Sequence, residues 1–429
     1  MPNDTSKIEP HLEIYVNKSI LVTNPKKYTI FEEGDQTEDA KRRFAEIKKS
    51  LQDGFLDEII NECRDPEVKI SLSEEETNLT SNLVSGITSE VGRALVGLSI
   101  LQLCVKSVTP TQSIRLHKGG HGDFSWKEGI SMRSLDRELL APTLRKHRLI
   151  LYNKDGVMMT RSLAENYPYS KFYKAALRGP KVAWLNLVEI LEEQPSHSIN
   201  LLKKIITLLV NRSIAFEALT SKTLADLDKF LGRKPRSEEI KKLIWKHATD
   251  SQYPARLFEI SIHSLFQAMA EMNLIKYNLR PLSQMRSANK KAGNIGDIEL
   301  LDQDKIIIAW DAKYGKSYLF DELSELESKL STHTRIKKVG FIVSSKADMR
   351  KEIKEKMEQI REDYNVDIDI VEFDTFVETI FKENKEKSNE LSLRWLKAYT
   401  ESLCLKRLEI APIEEPAEEW VKSLDSLFS

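Results

Sequence analysis

The chain is expected to be a mixed α/β protein (α+β) with a central mixed sheet flanked by helices in its C-terminal half and a largely helical N-terminal part. Three observations lead there. Ile306 to Trp310 is a β-branched run dense enough for a buried strand, and Ile298, Leu300 and Leu301 form an apolar run just before it, with Asp302-Gln303-Asp304 as the turn. Two more strand-like runs, Val339-Gly-Phe-Ile-Val-Ser344 and Asp367-Ile-Asp-Ile-Val-Glu-Phe373, alternate with charged helices at about Asp321 to Ser331 and Ala347 to Tyr364. Toward the N-terminus, Leu83, Ile87, Val91, Leu95 and Leu98 form one stripe of a long helix.

At 429 residues there is room for two or three domains and an ample core. Lys and Arg total 65 against 66 Asp and Glu, so net charge names no partner. Cys63, Cys104 and Cys404 are far apart, with no CxxC or Cys/His spacing. They imply neither a disulfide framework nor a zinc site, which suits a reducing cytoplasm. The longest uncharged apolar run, Leu95 to Val105, is too short to span a bilayer, and Met-Pro-Asn-Asp-Thr-Ser at the start lacks a basic region followed by an apolar one, so a soluble, intracellular protein is expected.

In chain order, strands are expected at Ile14-Tyr-Val-Asn and Ser19-Ile-Leu-Val-Thr, then a helix from about Thr37 to Glu62. Ser73-Glu-Glu-Glu76 is a capping box opening the long striped helix, which Thr109-Pro110 ends. Ser198 to Asn211 reads as an apolar core helix, and Gly232-Arg-Lys-Pro-Arg-Ser237 as a linker. Pro254 to Met272 is an amphipathic helix carrying Glu259, with Asp250 and Ser251 as capping candidates. A helix from Ser388 to Leu405 precedes the acidic Ile413-Glu-Glu-Pro-Ala-Glu-Glu-Trp420, expected to be a solvated tail. Four regions are expected: 1–110, mostly helical; 111–235, basic; 236–385, the sheet core; and 386–429, a helix with an acidic tail.

The basic region is densest from Arg115 to Lys181, with fourteen Lys/Arg against six Asp/Glu, an excess of eight. Aromatic and small polar residues are interleaved, as in Leu116-His-Lys-Gly-Gly-His-Gly-Asp-Phe-Ser-Trp-Lys, Tyr152-Asn-Lys-Asp-Gly156, Met159-Thr-Arg-Ser162 and Asn166-Tyr-Pro-Tyr-Ser170. Such a surface attracts a polyanion, and Lys118, Lys127, Arg133 and Arg161 are candidate contacts. The competing reading is a solvated basic face without a ligand. His117 and His121 stand four apart, but Gly119-Gly120 between them disfavours a helix, so loop histidines are expected rather than metal ligands.

The unusual chemistry is at the hairpin. A buried strand should stay apolar to its end, yet this one finishes in Asp311-Ala-Lys313, and period-two alternation puts both charges on one face beside Asp297 of the neighbouring strand. Two carboxylates and an ammonium are costly to desolvate together unless a divalent cation pairs with them. Asp-x-Lys alone also describes a solvated hairpin edge. Here Gly296-Asp297 on one strand, Asp311-Ala-Lys313 on the next, and the order helix, three strands, helix, strand over Tyr253 to Phe381 together resemble the PD-(D/E)xK nuclease superfamily, with Gly in place of Pro before the first Asp.

The resemblance implies a restriction-endonuclease-like core and Mg²⁺-dependent phosphodiester hydrolysis. Asp297, Asp311 and the Ala312 carbonyl would hold the ion, Lys313 would orient or deprotonate water, and Glu259 would serve as the helical acid behind the hairpin. For Glu259 the alternative is an ordinary helix-surface residue. Glu299, two residues past Asp297, is a reserve ligand. Lys290 and Lys291 are candidate phosphate contacts. Coupled with the basic region, the resemblance is closest to a type II restriction endonuclease acting on double-stranded DNA as a homodimer, with a separate cognate DNA methyltransferase. A repair or junction nuclease, and a DNA-binding protein with an inactive nuclease core, are the alternatives.

Overall fold

The structure is a computed structural model that describes residues 9–24, 27–87, 90–119, 124–150, 156–158, 163, 167–282, 293–333, 335–409 and 415–428. The chain is mixed α+β and divides into two units, Met1–Ala215 and Phe216–Ser429.

In the N-terminal unit, β1 (His11–Ile14), β2 (Lys18–Asn24) and β3 (Lys27–Glu32) pair antiparallel in sequence order. The third strand was not expected, because Tyr28 and Ile30 leave apolar side chains on the solvent face and blur the alternation. Leu21 and Phe31 point the other way, onto buried Trp126.

The expected helix over 37–62 is two, Glu38–Gln52 and Phe55–Glu62. The long striped helix is also two, Glu74–Ser85 and Glu90–Val108, with the poor helix former Gly86 just after the first. The Ser73 capping box is present, Ser73 N–H donating to Glu76 Oε2 at 2.8 Å and Glu76 N–H to Ser73 Oγ at 3.2 Å. Val91–Val108 is the one segment among the described residues long and apolar enough to cross a membrane, and 83% of it is buried within the protein.

A single core runs from Ile47 to Val210, with Leu98, Leu101 and Cys104 packed among Leu135, Leu144, Trp184 and Ile205. The expected boundary at 110/111 is therefore absent. Residues on both sides of it bury the same apolar surface, which period reading of one helix at a time does not reveal. The expected 198–211 helix continues to Gly232, and the division between the units falls inside it.

In the C-terminal unit, β4 (Asn278–Leu279), β5 (Ile298–Asp302), β6 (Lys305–Lys313), β7 (Lys338–Val343) and β8 (Asp367–Glu372) form a sheet in sequence order. The first three are antiparallel neighbours, and β6, β7 and β8 run parallel. Gln303 and Asp304 both have positive φ (48° and 65°), the two-residue turn whose twist matches paired strands. One face buries Ile298, Leu300, Trp310 and Ile342 under helices Pro254–Glu271, Phe373–Glu383 and Ser388–Leu403. The other buries Ala309, Val339, Phe341 and Val343 under Phe320–Leu330 and Lys351–Tyr364. Helices on both faces explain why β6 and β7 read as continuous apolar runs.

Two further expectations are corrected. Gly232 to Ser237 is a turn between helices that share one core, since Leu227 and Phe230 pack with Ile240 and Ile244, so it is no linker at 235/236. Trp395, Leu396, Trp420 and Leu424 lie in that core too, so 386–429 is part of the unit rather than an appendage. The Pro254 helix starts from Tyr253 at φ 56° with no side-chain cap, and Asp250 instead ends the preceding helix.

Candidate active site

The hairpin register brings the three sequence-predicted charges together. Ile298 pairs with Trp310, so Asp297, one residue before β5, stands opposite Asp311 near the end of β6. The Ala312 N–H donates to Asp297 Oδ2 at 3.0 Å, tying the two strand ends through the carboxylate. Lys313 Nζ lies 3.0 Å from Asp311 Oδ2, and its ammonium rests over the Phe341 ring at 5.8 Å from the centroid.

Gly296 has a local reason to be glycine. A Cβ at this position would meet the Trp310 carbonyl oxygen at 2.5 Å, so only glycine lets the backbone before Asp297 approach β6 this closely.

Glu259 is not a helix-surface residue. Its side chain is 14% exposed and its Oε1 accepts from Arg256 Nη1 at 2.5 Å. It joins the hairpin carboxylates electrostatically. Burial pushes the Asp297 carboxyl well above the usual range, and the Asp311 and Glu259 charges add to that push. Burial likewise raises Glu259, against the pull of the Arg256 guanidinium. For Lys313 burial works to lower the pKa, but Asp311 at hydrogen-bonding distance outweighs it and the ammonium ends above its ordinary value.

Glu299 is corrected as a reserve ligand. It is 2% exposed, its Oε1 accepts from the Ile295 N–H at 2.6 Å, and its other oxygen pairs with Arg280. It shapes the turn before Asp297 and points its charge at Arg280.

Among the described residues no three His, Cys, Asp or Glu side chains converge as a metal-binding group. The donor set at the strand ends nonetheless fits Mg²⁺ in kind: two carboxylates, a backbone carbonyl at Ala312, and room in the ion's preferences for several waters. Asp297 and Asp311 stand opposite each other across the hairpin, and the Asp311 charge adds to the cost of ionising Asp297. A shared proton or a cation relieves it.

The basic stretch is less free than its charge count suggests. Arg115 is 6% exposed and bidentate to Glu189 at 3.0 and 2.7 Å. Lys127 pairs with Glu32 at 2.7 Å, Arg133 donates to the Met158 carbonyl at 3.0 Å, and Lys118 lies over the Phe124 ring at 5.1 Å. His117 is buried and stacked on Tyr169, with centroids 5.3 Å apart, so it is structural. Arg133, Arg137, Lys146, Arg148, Lys171, Lys174 and Arg178 are the exposed basic residues among the described part of this stretch, with Lys146 paired to Asp57 at 2.7 Å. Arg161, Lys290, Lys291 and His121 lie outside the described residues.

The residues that sequence reasoning missed are Arg256, Arg407 and Glu415. Glu415 falls in the segment expected to be a solvated tail, yet it is 7% exposed and bonded to both arginines. No local pattern announces a pairing across 159 positions. No known family model matches the chain, and no curated protein is detectably similar to it.

Proposed function

We propose that this protein is a Mg²⁺-dependent, sequence-specific double-stranded DNA endonuclease with a restriction-endonuclease-like core, most similar in kind to a type II restriction enzyme. The observation that carries this reading is the meeting of Asp297, Asp311 and Lys313 at adjacent strand ends, with the charge of Glu259, on a helix packed on the sheet, acting on Asp297. The mixed sheet of an antiparallel hairpin followed by parallel strands, sandwiched by helices, supports the same reading.

Asp297 and Asp311, with the Ala312 carbonyl, would hold Mg²⁺. When bound, the ion supplies charge neutralisation for the phosphoryl oxygens and the leaving oxygen. Lys313 is held as an ammonium by Asp311, so its role is to orient the attacking water and offset the phosphate charge rather than to accept a proton. The phosphorus–oxygen bond to water forms as the bond to the leaving sugar oxygen breaks, and the proton lost by water balances the one the leaving oxygen gains. Glu259, anchored on Arg256, would accept a hydrogen bond from a water near the carboxylates.

The test is digestion of plasmid and phage DNA by purified protein with Mg²⁺. Discrete bands are expected with Mg²⁺ and none with Ca²⁺, whose looser coordination supports binding without aligning water. Uncut DNA across varied templates would refute the reading. A smear or structure-dependent nicking would move it to the repair or junction class.

A further inference from the structure

The Glu415 side chain is 2% exposed. Its Oε1 accepts from Arg256 Nε at 2.8 Å and its Oε2 from Arg407 Nε at 2.9 Å. Arg407 also donates from Nη1 to the Ser402 carbonyl at 2.8 Å, and Arg256 from Nη1 to Glu259 at 2.5 Å. The result is a continuous buried chain from Arg407 through Glu415 and Arg256 to Glu259.

Buried ion networks of this kind are rarely worth more to stability than apolar side chains of the same volume. This one carries a further cost, since Arg407 Nη2 is buried without a hydrogen-bond partner among the described residues. What the network does accomplish is geometric. A guanidinium is a rigid planar fork, so fixing Nε on Glu415 fixes the direction of Nη1. That direction is toward Glu259, whose neighbour Phe258 packs on Tyr314 just past Lys313, with ring centroids 5.9 Å apart, and whose charge acts on Asp297. The quartet is also neutral as a set, two arginines against two glutamates, so it leaves the excess negative charge at the strand ends for a cation.

We infer that Glu415 is a positioning residue for the active site: through Arg256 it fixes Glu259 near the strand end that carries Asp311 and tunes how strongly the Asp297–Asp311 pair holds a divalent cation. This rests on the metal-site reading above. Losing Glu415 frees the Arg256 fork to turn wholly onto Glu259 and leaves an uncompensated positive charge nearby, and both changes weaken cation binding.

The experiment is calorimetric titration of Mg²⁺ alone into the full chain, as wild type, Asp311→Ala, Glu415→Met and the double variant Glu415→Met/Arg407→Met. Wild type binds and Asp311→Ala does not. Glu415→Met, which leaves Arg256 Nε no acceptor at this position, binds roughly tenfold to a hundredfold more weakly, the range for outer-shell partners. The double variant restores charge balance, so it keeps the fold if the single variant does not, and its binding stays weak because Arg256 still lacks its anchor. Circular dichroism verifies that each variant is folded. Wild-type affinity in the folded double variant, with only the melting temperature changed, would overturn the inference and leave the metal site standing. Absence of any Asp311-dependent Mg²⁺ binding in wild type would overturn both.

Discussion

In the N-terminal unit the buried Asp136 carboxylate faces donors: the Val157 and Met158 N–H groups reach its Oδ2 at 2.7 and 2.9 Å, and Gly156, at φ 85°, brings that backbone so close that a Cβ would meet the same oxygen at 2.4 Å. In the C-terminal unit Asp297 has the Ala312 N–H as its donor among the described residues, with Asp311 and Glu259 adding negative charge. Both acids are shifted upward, chiefly by burial. The surroundings separate them: Asp136 is a clamp whose ligand is its own backbone, whereas Asp297 belongs to a group still short of positive charge. A strained pKa alone therefore marks neither site as functional, and the direction of the neighbouring dipoles does.

The largest effect expected is on catalysis. Asp311→Ala should lower the cleavage rate by more than about a hundredfold, beyond the usual cost of outer-shell changes, while gel-shift affinity for DNA stays near wild type. Wild-type cleavage in that variant would break the contrast by making the strand-end cluster another structural clamp.

Stability should respond oppositely at the two acids. Asp136→Ala orphans two buried N–H groups at about 1–3 kcal/mol each, so urea denaturation should show a loss of about 2–6 kcal/mol in the N-terminal unit. Asp297→Asn removes a charge from among like charges, and the metal-free C-terminal unit should unfold at higher urea than wild type.

A pH titration sharpens the comparison. Asp136 is raised from 3.8 to about 6, so its native form binds a proton more tightly than the unfolded chain does. Its contribution is fully present below pH 3.8 and is lost as pH rises to about 6. Asp136→Asn should flatten that slope. His247 and His263 work the other way: burial holds each near 4, so stability is full above 6.5 and falls as pH drops toward 4. The C-terminal unit, which contains both, should therefore be the first to lose stability in mild acid.

The smallest effects belong to the basic stretch. Lys127→Ala breaks a half-exposed pair with Glu32 and should change stability by about 0–1 kcal/mol. Neutralising Lys118, Lys127, Arg133 and Arg161 together should lower the salt slope of DNA binding by about one unit for each that contacts phosphate. Because Arg133 also holds the Met158 carbonyl, its share is read only after the variant is shown to be folded. An unchanged slope would move recognition out of this stretch.

Where the chain's chemistry is local, the sequence was enough to read it. The Ile306 to Trp310 run, the positive-φ turn and the charged strand end lie within about twenty residues, and period-two alternation placed Asp297, Asp311 and Lys313 together correctly. The same rule failed for Glu299, because a buried carboxylate goes to the nearest donors and the Ile295 N–H and Arg280 outcompeted the site. It failed for the 110/111 boundary and for Glu415 because both depend on partners distant in sequence. Charge counting failed in its own way at Arg115, whose guanidinium is committed to Glu189 and the Tyr169 carbonyl.

If Asp297 and Asp311 together hold a divalent cation, thermal melting with and without Mg²⁺ registers it. In wild type the melting temperature should rise with Mg²⁺ as ligand binding to the native state requires. Asp297→Asn should start higher without the ion and gain nothing from it. An equal Mg²⁺ response in the two proteins would contradict the account.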